Sequence, residues 1–157
     1  MTERTVAITG GHGALGRAVL EAALKGGWRV AVIDHAAGHA APDGVQEIGG
    51  IDLTDADQAQ KAMDAVIARF GRLDALLNIA GGFVWQTTDD AAPAWDRMHA
   101  LNVTTALNAS RAALAALRAA PQGRIVNVGS AAALKAGAGM GAYGAAKAGV
   151  HALTQAL

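Results

Sequence analysis

The chain has 157 residues, of which 52% are hydrophobic and 17% are charged. This length suits one domain with an adequate core, and the composition excludes a disordered chain. Thirteen lysines and arginines balance thirteen aspartates and glutamates, so the chain lacks the positive excess that attracts nucleic acid or anionic lipid. We therefore predict no nucleic-acid partner and no membrane partner.

Cysteine is absent, which excludes disulfides and thiolate metal sites and suits a cytoplasmic location. Every apolar run is shorter than the ~20 residues that a bilayer requires, and residues 1–10 lack the order of a signal peptide. The five histidines show no metal-ligand spacing with carboxylates, so we predict no metal site.

Short apolar strands alternate with helices along the chain. The predicted strands are 5–9, 29–33, 45–51, 73–79 and 125–128, and the predicted helices are 14–25, 55–70, 93–119 and 143–157. A loop is expected from Asp34 to Gly44. Strands that are apolar throughout predict a parallel sheet with helices on both faces, in a single α/β domain over residues 1–157. Because the last helix reaches Leu157 without a cap, we expect the C-terminal part of the fold to be missing from this chain.

A glycine-rich turn lies between the first strand and the first helix. Residues 9–16 read TGGHGALG, and in this context the backbone amides and the helix dipole can receive a pyrophosphate. The pattern is typical of a doubly wound, Rossmann-like sheet that binds a dinucleotide. The predicted cofactor contacts in the turn are Gly10, His12, Gly13, Ala14, Leu15 and Gly16.

The second strand ends at Asp34, 24 positions after Gly10. A carboxylate there can accept hydrogen bonds from the adenosine ribose hydroxyls, and its charge repels a 2′-phosphate. We therefore expect NAD(H) to be favoured over NADP(H), although His12 and His35, if protonated, would weaken that preference.

Tyr143 and Lys147 are four positions apart on a predicted helix and therefore share one face. An ammonium close to a phenol lowers the phenol's pKa, so such a tyrosine can exchange a proton with an alcohol or carbonyl oxygen. Ser130 follows an apolar strand, where α/β sheets present ligand-facing groups, 13 positions before Tyr143.

These motifs together resemble the short-chain dehydrogenase/reductase family over residues 6–157. The resemblance rests on the glycine turn, Ser130, the Tyr143 and Lys147 pair, the segment Asn78-Ile79-Ala80-Gly81, and Asn102. It implies an NAD(P)-dependent oxidoreductase acting on a small carbonyl or alcohol substrate. Tyr143 would be the general acid/base, Ser130 would polarise the substrate oxygen, Lys147 would hold the nicotinamide ribose, and Asn102 would support a proton path. Further implied cofactor contacts are Asp52, Leu53, Asn78, Ala80, Gly81 and Tyr143 itself.

Two details of the sequence leave alternatives open. The spacing Gly10, Gly13, Gly16 is also similar to that of sugar-nucleotide epimerases, although Ser130 and Tyr143 are too close together for that branch. Three segments resemble the dihydropteridine reductases more closely: GALG at 13–16, AGG at 80–82 and GMGAYGAAKAGVH at 139–151. Those enzymes, however, lack a serine at the position of Ser130. A third alternative is a nucleotide-binding module without catalysis. Alanine-rich helices at 102–119 and from 143 onward predict a homo-oligomer, a dimer or a tetramer.

Overall fold

Parallel strands form the centre of the computed structural model, which describes residues 3–37, 40–89 and 93–157. Within those residues the sheet has five strands: β1 Thr5–Thr9, β2 Arg29–Ile33, β3 Val45–Ile48, β4 Ala75–Asn78 and β5 Arg124–Asn127. Their order is β3-β2-β1-β4-β5, and every neighbouring pair is parallel. From β1 the chain adds β2 and β3 on one side, and then β4 and β5 on the other side. This reversal of strand order opens a crevice at the carboxyl ends of β1 and β4.

Helices connect the strands. They are α1 Ala14–Lys25, α2 Ala56–Phe70, α3 Pro93–His99, α4 Thr105–Ala119 and α5 Gly141–Ala156. A π-helical turn, Ala100–Thr104, joins α3 to α4, and a short 3-10 turn, Ala131–Ala133, precedes α5. Asp55 caps α2 by accepting hydrogen bonds from two backbone N–H groups of its first turn.

Helices cover both faces of the sheet. Because successive side chains of a strand point to opposite faces, Val6 and Ile8 pack beneath α1, whereas Ala7 packs beneath α2 and α4. The same alternation continues in β2. Val30 and Val32 pack with Val6 and Ile8, whereas Ala31 and Ile33 pack on the opposite face with Ala7. The predicted Rossmann-like, doubly wound sheet is confirmed.

Several predicted bounds differ from the structure. The strand predicted at 45–51 ends at Ile48, because Gly50 turns the backbone with φ +74°. The strand predicted at 73–79 is limited to Ala75–Asn78, and α5 begins two residues earlier than predicted, at Gly141. The helix predicted at 93–119 is interrupted by the π-helical turn. The loop predicted after Asp34 includes residues 38 and 39, which lie outside the described residues.

Strand β5 lies at the edge of the sheet. It begins at Arg124, one residue earlier than predicted, and Val126 is 51% exposed, so this strand is covered less fully than β1 and β2. None of the helices in the described ranges is long and apolar enough to cross a membrane. The same ranges contain no group of three or more histidine, aspartate or glutamate side chains arranged to hold a metal ion.

Candidate active site

The glycine turn is built by close backbone approaches. Gly10 has φ +69°, and a Cβ on it would lie 2.8 Å from the Cα and N of Ala80. A Cβ on Gly16 would lie 2.2 Å from the carbonyl oxygen of Gly10. Only glycine fits at these two positions, and the result is that the first turn of α1 lies directly against the end of β1. Gly13 precedes α1 without a side-chain cap, so the first N–H groups of the helix remain available to a ligand.

Thr9 joins the glycine turn to the neighbouring strand. Its Oγ1 accepts hydrogen bonds from the backbone N–H groups of Ile79 and Ala80, each at 3.1 Å. The glycine turn and residues 78–81 therefore form one continuous floor across the crevice between β1 and β4.

Asp34 is held at the carboxyl end of β2. One carboxylate oxygen accepts from the backbone N–H of His12 at 3.0 Å, and the other accepts from that of Ala36 at 3.0 Å. The His12 ring pairs with Glu47 of β3 through Nε2, and His12 is not among the residues that line the crevice. The carboxylate of Asp34 is therefore fixed beside the turn and still borders the crevice.

The next wall is formed by residues that follow β3. The carboxylate of Asp52 accepts hydrogen bonds from the hydroxyl and the backbone N–H of Thr54, and these bonds lower its pKa below the usual value. The carbonyls of Leu53 and Thr54 accept from Nδ2 of Asn108, which fixes this segment against α4.

These walls enclose a cleft of about 660 Å³. Ten of the sequence-predicted cofactor contacts line it: Gly10, Gly13, Ala14, Leu15, Gly16, Asp34, Asp52, Leu53, Ala80 and Gly81. A dinucleotide requires contacts from several loops, an open helix N-terminus and a carboxylate, and this cleft offers all three. The residues present therefore fit such a cofactor.

Asn78 lies beneath the cleft rather than in it. Its side chain is buried, and Nδ2 donates to Ser110 Oγ at 3.0 Å and to Asn127 Oδ1 at 2.8 Å. Asn127 in turn donates to Thr154 at 2.9 Å. Asn78 therefore joins β4 to α4 and β5, and its predicted contact with the cofactor stays a prediction.

Asn102 clamps the glycines that follow β4. It is fully buried in the π-helical turn, where Nδ2 donates to the carbonyls of Gly82 and Met98 at 2.9 and 3.0 Å. Its Oδ1 accepts from the N–H of Gly82 at 3.3 Å. A Cβ on Gly81 would lie 2.7 Å from that oxygen, so the clamp requires a glycine there.

Tyr143 and Lys147 lie on one face of α5, as predicted from their spacing. Lys147 is buried, and its Nζ donates to the carbonyl of Val128 at 2.8 Å and lies 5.9 Å from the centre of the Tyr143 ring. Burial lowers the pKa of Lys147. The ideal Cβ position of Gly81 is 3.7 Å from the same Nζ, so the ammonium lies where the cleft meets α5.

Ser130 caps the 3-10 turn Ala131–Ala133, which packs on α5. Its Oγ accepts from the N–H of Ala132 at 3.2 Å, and a Cβ on Gly144 would lie 2.8 Å from the carbonyl of Ala132. The turn that carries Ser130 therefore contacts α5 directly after Tyr143. In the described part of the chain no hydrogen bond joins the Ser130 and Tyr143 hydroxyls.

Aromatic side chains border Tyr143. The Phe83 ring meets the Tyr143 ring edge-on at 5.0 Å, and Trp85 meets Phe83 edge-on at 6.4 Å. Phe83 and Trp85 are 46% and 62% exposed. An apolar surface therefore extends from the tyrosine toward solvent.

Sequence reasoning missed one wall of the cleft. Arg97, Ala100, Leu101 and Thr105 line it from α3, the π-helical turn and α4. The signal for them is the interval of four residues between Arg97, Leu101 and Thr105, which places these three on one side of a helix.

A family model described as short chain dehydrogenase matches residues 4–157. The chain belongs to this family. The 2-(S)-hydroxypropyl-CoM dehydrogenase 3 of Xanthobacter autotrophicus is 38% identical to it over 99% of this chain and 64% of its own length. Among solved structures, a short-chain dehydrogenase/reductase from Serratia marcescens is 30% identical, with a TM-score of 0.85, and covers 96% of this chain and 68% of its own. An NADH-dependent reductase, A1-R′, complexed with NAD, is 26% identical, with a TM-score of 0.88 over 99% of this chain and 71% of its own.

The chain spans only part of the length of its curated relatives. It spans 64%, 59% and 63% of three curated relatives in this family. The comparisons show membership of the short chain dehydrogenase family, and they give no evidence for the closer likeness to dihydropteridine reductases predicted from the sequence.

Proposed function

We propose that this chain carries the cofactor site and the acid/base group of an NAD(P)-dependent oxidoreductase for a small carbonyl or alcohol substrate. The observation that carries the proposal is the position of Lys147, whose ammonium lies on the Tyr143 face of α5 and next to Gly81 of the cleft. Its relatives include named dehydrogenases, among them cyclopentanol dehydrogenase of Comamonas.

The cofactor would be held by the glycine turn, Asp34, Asp52 and Gly81. When bound, it supplies or accepts the hydride of the reaction. The carboxylate of Asp34 would accept hydrogen bonds from the adenosine ribose, and it would repel a 2′-phosphate in the same place. We therefore propose a preference for NAD(H).

Tyr143 would donate a proton to the carbonyl oxygen in reduction and accept it from the alcohol in oxidation. The Lys147 ammonium would stabilise the phenolate, because opposite charges close together favour the ionised phenol. Ser130 would orient the substrate oxygen by a hydrogen bond, and Asn102 would keep Gly81 and Gly82 in place beside the reacting atoms.

The exposed rings of Phe83 and Trp85 would line the entrance for the substrate.

We further propose that copies of the chain associate through α4 and α5 as a dimer or a tetramer, in the cytoplasm. Support for association comes from the alanine-rich sequence of both helices, and sedimentation velocity measures the mass directly.

Replacing Tyr143 with phenylalanine tests the acid/base role. The ring and its contact with Phe83 remain in Tyr143→Phe, but the proton is lost, so turnover of a ketone with NADH should fall at least 100-fold. NADH affinity, measured by fluorescence, should change less than threefold. Trp95→Phe is a matched aromatic control. Unaltered turnover in Tyr143→Phe would reject the assignment.

A further inference from the structure

Arg97 lines the same cleft as the glycine turn. Among the described residues that line the cleft, Arg97 is the only one whose side chain is positively charged at every ordinary pH. Within that described part it is exposed and forms no ion pair or hydrogen bond with another residue. A guanidinium without a protein partner in a ligand cleft is suited to an anionic group of the ligand.

The position of Arg97 along the cleft limits which anion it can meet. Thr105 marks one end of its wall, because Asn108, three residues later, binds the carbonyls of Leu53 and Thr54. Arg97 precedes Thr105 by eight residues, or roughly 12 Å along a helix axis. Between them, Leu101 contacts Gly82, whose ideal Cβ would lie 3.2 Å from Leu101 Cδ1. Arg97 is therefore far from the end of the cleft that Asp52 and Leu53 form.

A dinucleotide offers few anions to such a group. NAD(H) carries its negative charge on the diphosphate, and NADP(H) adds a phosphate on the adenosine ribose. That ribose belongs at Asp34, directly after β2, whereas Arg97 shares its wall with Leu101, which adjoins Gly82 in the segment that follows β4. The diphosphate is the anion that lies between these ends.

We propose that Arg97 pairs with the diphosphate of the bound dinucleotide, an inference that rests on the proposed function. The first N–H groups of α1 contact the diphosphate from one side, and the guanidinium closes over it from the other. The arginine fork supplies two parallel donors to phosphate oxygens, which a lysine cannot reproduce. Arg97 is thus a cofactor-binding residue that acts on affinity and not on proton transfer.

Calorimetric titration of Arg97→Gln with NADH, ADP-ribose and adenosine tests the pairing. Losing a charged hydrogen bond should raise the Kd of NADH and of ADP-ribose about tenfold. Adenosine, which has no phosphate, should bind as it does to the unaltered protein. Arg97→Lys should recover part of the loss, and the loss should shrink as salt is raised, because salt screens an exposed pair.

Arg111→Gln is the matched control, since Arg111 lies on α4 in a separate groove with Asp57 and Gln60 and carries the same charge change. It should leave all three Kd values unchanged. Equal weakening of adenosine would overturn the proposal in favour of stacking on the base, and unchanged ADP-ribose affinity would overturn it outright. If the unaltered protein binds neither NADH nor ADP-ribose, the proposed function fails together with this inference; if it binds both and Arg97→Gln changes nothing, only the inference fails.

Discussion

A single carboxylate sets the expected choice between the two nicotinamide cofactors. Asp34 accepts two backbone hydrogen bonds, so its replacement by alanine would disturb the turn as well as the charge. Asp34→Asn keeps a side-chain acceptor and removes the negative charge. The ratio of the NADPH to the NADH affinity should therefore rise about tenfold, because the repulsion of a 2′-phosphate is lost.

Fluorescence titration of Asp34→Asn with both reduced cofactors measures that ratio. Glu21→Gln, on the exposed side of α1, makes the same charge change away from the cleft and should leave the ratio unaltered. A ratio that stays constant in Asp34→Asn would show that this carboxylate does not select the cofactor.

The glycine turn tolerates a methyl group at one glycine and not at another. A Cβ on Gly16 would lie 2.2 Å from the Gly10 carbonyl and 2.6 Å from the Gly11 Cα, and these backbone atoms cannot move aside cheaply. A Cβ on Gly13 meets only the Gly10 oxygen at an ordinary 3.5 Å, and Gly13 has φ −69°. Position 16 therefore requires glycine, whereas position 13 accepts alanine.

Gly16→Ala should accordingly lose about 2 kcal/mol or more of unfolding free energy, with Tm about 5 °C lower. Gly13→Ala should keep its Tm within about 1 °C, which makes it the matched control. Both values come from thermal denaturation followed by circular dichroism. Equal Tm values for the two variants would mean that the turn relaxes around the added methyl.

Local signals in the sequence account for the elements that were predicted well. Helix α1 has the predicted bounds because glycines enclose it, and the glycine turn with Asp34 depends on residues close together in the chain. The π-helical turn was not predicted, since Asn102 is held there by Gly82, 20 positions away. Arg97 was missed for the same reason: its place in the cleft depends on how α3 packs against α5, and that packing is a tertiary contact. The spacing of Tyr143 and Lys147 in the sequence predicts that they share a helix face. It does not predict the hydrogen bond from Lys147 Nζ to the carbonyl of Val128, which depends on how α5 packs on the sheet.

Asp74, through its carboxylate and its backbone, joins the amino ends of three strands. Asp74 Oδ2 accepts from the backbone N–H of Thr5 at 2.8 Å and from Nε of Arg72 at 2.9 Å. The backbone of Asp74 also bonds to Thr5 and to Arg124, so β1, β4 and β5 meet there. The Arg72 guanidinium, together with the Thr5 N–H, holds the pKa of Asp74 below its ordinary value of 3.8.

The sign of the pH effect follows from that lowered pKa. The unfolded chain binds a proton at Asp74 more readily than the folded chain, so the ionised carboxylate stabilises the fold above pH 3.8, and this contribution disappears as the pH falls through the lower folded pKa. Asp74→Asn should lose about 2 kcal/mol of unfolding free energy at pH 7, because it weakens a buried charged hydrogen bond. The difference from the unaltered protein should narrow below pH 3.8. Urea denaturation from pH 7 to pH 3 measures this difference in unfolding free energy. Asp64→Asn, on the exposed face of α2, is the control. A difference that is independent of pH would mean that the charge of Asp74 does not stabilise the fold.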